Sequence, residues 1–112
     1  WCLSAYRFDR YRRAQPCRAC LEVPDGVDRA GVVAVAEGMW LARDLVNTPA
    51  SDLGPAELAG AALDLARRHG ARGEVIEGER IEAEFPMIHA VGRASTRAPR
   101  LVDFVWGEEG AP

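Results

Sequence analysis

An α/β layer structure is the fold class this sequence predicts, and three observations predict it. Two segments with helical spacing of apolar residues follow one another between Asp28 and Gly70. A short β-like stretch lies around Glu74–Glu77, before a brief helical segment. Leu101–Trp106 is a near-continuous apolar run, the character of a strand covered on both faces. Helix, strand, helix and strand in that order suit helices layered on a sheet.

The first ordered segment expected is a helix beginning at Asp28. Val32, Val35, Ala36, Met39, Ala42 and Val46 recur at helical spacing, and Trp40 widens the stripe. Asp28 is placed to cap the start by accepting from free backbone N–H groups. Gly31 and Gly38 weaken the segment. Its end is expected near Asn47-Thr48-Pro49, because a residue before proline is pushed out of helical geometry. The second helix is the best supported. Pro55 suits the first helical position, Glu57 faces the positive end of the helix dipole, and Arg67, Arg68 and His69 sit at the negative end. Leu58, Ala62, Leu65 and Ala66 form its apolar face, which predicts that Leu58 and Leu65 are buried. Gly70 supplies the left-handed cap. After the strand around Glu74–Glu77, a helical turn is expected over Glu79–Phe85. Pro86 opens another that ends near Gly92.

Ahead of these elements, residues 4–13 place Tyr6, Phe8 and Tyr11 among arginines, as a short helix or an extended tail. Residues 14–27, with Pro16, Pro24 and Asp25-Gly26, read as a linker or turn region. A chain of 112 residues has room for one small domain, and a single core is feasible at that size. The net charge of −3 gives no reason to expect nucleic acid, and no apolar run approaches the roughly 18 residues of a membrane span. The first residues lack the pattern of a signal peptide and an initiator Met, so the start reads as the cut end of something longer. All 14 basic side chains are Arg, and Lys is absent.

Candidate chemistry is sparse. Cys2, Cys17 and Cys20 are an odd set, which argues against a disulfide framework and for a reducing, cytoplasmic setting. Cys17-Arg18-Ala19-Cys20 reads first as incidental cysteines, with a labile thiol pair or a metal ligand as the other readings. A zinc site needs about four ligands, and only Cys2, His69 and His89 are left to supply them. His89, between Ile88 and Ala90, reads as a packed histidine and His69 as a helix-end cation. Glu74, Glu77, Glu79, Glu82 and Glu84 alternate through a short segment, the pattern of a solvated acidic face rather than carboxylates converging on a metal.

Two stretches carry a resemblance. Leu41–Pro55, with Asn47-Thr48-Pro49 and Leu53-Gly54-Pro55, and Met87–Ser95, followed by Pro99–Trp106, resemble the entry to the catalytic domain of the leucyl (cytosol) aminopeptidase family. Val91-Gly92-Arg93-Ala94-Ser95 is similar to that family's Ala-Val-Gly-x-Gly-Ser loop, with Ala94 where a second Gly is usual. Tyr6–Tyr11 resembles the string that closes its smaller N-terminal domain. The resemblance implies an incomplete portion of a three-layer α/β catalytic domain. Residues 1–22 would be the end of the N-terminal domain, 23–31 a linker, and 32–112 the start of the catalytic domain. It implies two-metal exopeptidases that take N-terminal residues from peptides using manganese, zinc or magnesium, and that assemble as cytoplasmic hexamers.

The family's metal ligands include a Lys and a Lys-Gly-x-x-Phe-Asp-Ser-Gly-Gly motif, neither of which is here. The carry-over of catalytic and metal-binding residues is therefore empty. Asn47, Pro49, Gly54, Pro55 and Gly92 map onto scaffold positions with backbone-shaping roles. The expectation is a chain inactive alone and at best marginally folded, with Phe104 and Trp106 exposed. Its partner would be the remainder of the catalytic domain, with no nucleic acid and no membrane. The alternative is a self-standing, non-catalytic α-helical interaction module.

Overall fold

The computed structural model describes residues 2–13, 15, 19 and 22–110. The chain divides into two compact units, Trp1–Pro49 and Ala50–Pro112. The expectations for Cys17 and Cys20 lie outside the described residues.

The first unit is built on helix α1, Arg29–Asn47. Its start follows from Asp28, whose Oδ1 accepts from the Gly31 N–H at 3.0 Å. Its end follows from Thr48, which turns to φ −79°, ψ 121° ahead of Pro49. The Thr48 hydroxyl donates to the Asp44 carbonyl at 2.6 Å, so the buried threonine is satisfied. Residues 2–5 form a turn and residues 6–9 run without regular structure, which decides against a short helix there.

Polar contacts tie this segment to α1. The Trp40 indole N–H donates to the Cys2 carbonyl at 3.0 Å, and Arg43 donates to the Leu3 carbonyl at 3.0 Å. The Tyr6 hydroxyl donates to Asp44 at 2.7 Å and accepts from Asn47 Nδ2 at 3.2 Å. Of the predicted apolar stripe only Ala36 is buried; Val32, Val35, Met39 and Val46 are exposed. An Asp28→Ala change is expected to cost about 1 kcal/mol and to fray the first turn, read as faster amide exchange over residues 30–33.

The second unit contains α2 (Pro55–Arg68), strand β1 (Arg72–Ile76), α3 (Glu79–Glu84), α4 (Pro86–Gly92) and strand β2 (Leu101–Val105). The strands pair antiparallel, with Glu74 opposite Asp103 and Ile76 opposite Leu101. Helix α2 packs on both strands. Pro55 stands at its first position, and Gly70, at φ +66°, lets the chain leave, with the Ala71 N–H donating back to the Ala66 carbonyl at 2.8 Å. The core is formed by Ala59 and Ala66 of α2, Ile76 of β1 and Ile81 of α3.

The facing of α2 corrects the sequence reading. Leu58 is 50% exposed and Leu65 is only partly covered, while the buried residues are Ala59 and Ala66. Leu63 reaches towards Gly73 of β1. The helix rests on the sheet through its alanines because small side chains allow close approach, and Leu58 and Leu65 lie to one side of that line. Strand β1 also begins two residues before the expected Glu74 and ends one before Glu77.

Candidate functional site

Within the second unit, the two signature stretches meet at Arg97. Its guanidinium donates to the Ala50 and Ser51 carbonyls, each at 2.5 Å, and its N–H donates to Ser95 Oγ at 3.0 Å. One arginine thus fastens the loop ahead of α2 to the loop ahead of β2. Gly54 lies directly beneath it: a Cβ there would run into the Arg97 side chain and come within 3.0 Å of Glu57 Oε2. Gly92 is tight for a similar reason, since an added Cβ would come 2.5 Å from Pro99 Cβ. Pro55 opens α2. In the first unit, Asn47 ends α1 and holds the Tyr6 hydroxyl, and Pro49 follows the extended Thr48.

The Glu57 carboxylate accepts from the Gly54 N–H at 2.9 Å, closing the first turn of α2. Backbone N–H donors, its own first and that of Gly54 second, hold its pKa below the ordinary glutamate value, and Arg97 and Arg100 add to this. A depressed carboxylate contributes stability that is present above its unfolded pKa and lost as pH falls through its folded pKa. The start of α2 is therefore expected to loosen as pH drops below about 4.5, read at the Gly54 amide by exchange or chemical shift. Glu57→Gln should flatten that dependence.

The groove beside these residues holds about 450 Å³ and is lined by Leu53, Pro55, Leu58, Ala59, Arg97 and Val102 among others. It is apolar with a cationic rim, and it offers no nucleophile or general base. Three of the five carboxylates of the acidic segment are paired with arginines. Arg80 pairs with Glu84 at 3.2 Å and with Glu74 at 3.5 Å, and Arg100 pairs with Glu77 at 2.5 Å. Among the described residues, no three His, Cys, Asp or Glu side chains gather as metal ligands would. His69 is exposed and its carbonyl accepts from the Trp106 indole at 2.9 Å; His89 is half-buried on α4. Sequence reasoning missed Arg97 altogether, because an arginine in a loop carries no spacing signal.

A sequence profile of the cytosol aminopeptidase family, catalytic domain, matches residues 40–112. The probable cytosol aminopeptidase of Corynebacterium diphtheriae is 40% identical over 78 residues, 69% of this chain and 16% of the relative. That of Mycobacterium bovis is 39% identical over 114 residues, 92% of this chain and 22% of the relative. The crystal structure of cytosol aminopeptidase from Coxiella burnetii superimposes with a TM-score of 0.92 at 43% identity, over 99% of this chain and 24% of that one. The bottromycin maturation enzyme BotP in complex with Mn gives a TM-score of 0.76 at 34% identity, over 95% and 23%. The chain thus spans about a quarter or less of the proteins it matches. No helix among the described residues is long and apolar enough to cross a membrane. With the profile covering residues 40–112 and the fold superimposing almost end to end, the chain belongs to the cytosol aminopeptidase family.

Proposed function

We propose that this chain is the junction segment of a cytoplasmic metalloexopeptidase that removes N-terminal residues from peptides. In this reading, residues 1–22 end a smaller N-terminal domain, 23–31 link it onward, and 32–112 open the catalytic domain. Asn47, Pro49, Gly54, Pro55 and Gly92 shape its backbone rather than touch substrate. The observation that carries the reading is the coverage, nearly all of this chain against about a quarter of a cytosol aminopeptidase.

Two divalent metals, manganese, zinc or magnesium, belong to the complete enzyme and would polarise the scissile carbonyl. The described residues do not fit such a pair. Glu74, Glu77 and Glu84 are tied to arginines, and the sequence has no Lys to serve as a ligand. Catalytic groups and substrate contacts therefore come from the remainder of the catalytic domain, in a hexamer of complete chains. The test is hydrolysis of an N-terminal leucine amide by the purified chain with and without added manganese. No turnover is expected. Metal-dependent turnover that co-purifies with the chain and scales with its concentration would contradict the reading.

A further inference from the structure

We draw no further inference here: the strongest candidate, the apolar groove between α2 and β2 lined by Leu65, Phe104 and Trp106, carries nothing because nothing in the structure shows what covers it.

Discussion

Replacing Ile81 with alanine is expected to unfold the second unit under conditions where the parent chain holds together. Ile81 is 1% exposed and is the largest fully buried side chain among the described residues. Truncating a buried isoleucine to alanine removes three carbons and leaves a cavity, at a cost of about 2–5 kcal/mol. The rest of this core is Ala59, Ala66 and Ile76, two of which contribute only a methyl group. A unit this small has a margin comparable to that loss. Urea titration followed by far-UV circular dichroism is the measurement. Ile81→Val should shift the transition by only about 0.5–1.5 kcal/mol. A melt for Ile81→Ala that overlays the parent would mean that α3 is not anchored through this residue.

The second large effect is expected at Gly92, where α4 ends. A valine there must displace Pro99, because the Cβ alone would come within 2.5 to 3.0 Å of three Pro99 ring carbons. A proline ring has little freedom to move aside, so backbone must shift, and overpacking of this kind costs about 1–3 kcal/mol. The displaced segment also carries Arg97, so Gly92→Val should loosen the loop that Arg97 holds at Ala50 and Ser51. A double-mutant cycle with Pro99→Gly is the check: the paired substitution should cost less than the sum of the two single ones. Strict additivity would show that the contact carries no strain.

What was legible in the sequence was local. Asp28, Thr48-Pro49, Pro55, Gly70 and Pro86 each act on backbone within one turn, and the helix ends they predict are where the chain starts and stops its helices. The apolar run at Leu101 announced a strand for the same reason, and its family signature was written in contiguous residues. What was not legible depends on partners distant in sequence. Whether α2 rests on Ala59 and Ala66 or on Leu58 and Leu65 is decided by where the two strands lie, and periodicity fixes only the shared side of the helix. The antiparallel pairing of β1 with β2 is set across the two short helices between them. Arg97 reaches carbonyls 46 and 47 residues away, and no spacing rule reports such a contact. The carboxylates Glu74, Glu77 and Glu84 looked like a solvated face, and their arginine partners now give that face a physical account.

The central claim is that this segment belongs to a larger catalytic chain that supplies the metal site. Reading the DNA on both sides of the coding segment tests it most directly. The account predicts one continuous frame that runs on past Pro112 and carries a Lys-Gly-x-x-Phe-Asp motif downstream. A stop codon directly after Pro112, with a promoter and start codon of the segment's own, would contradict it and leave a self-standing helical module in its place.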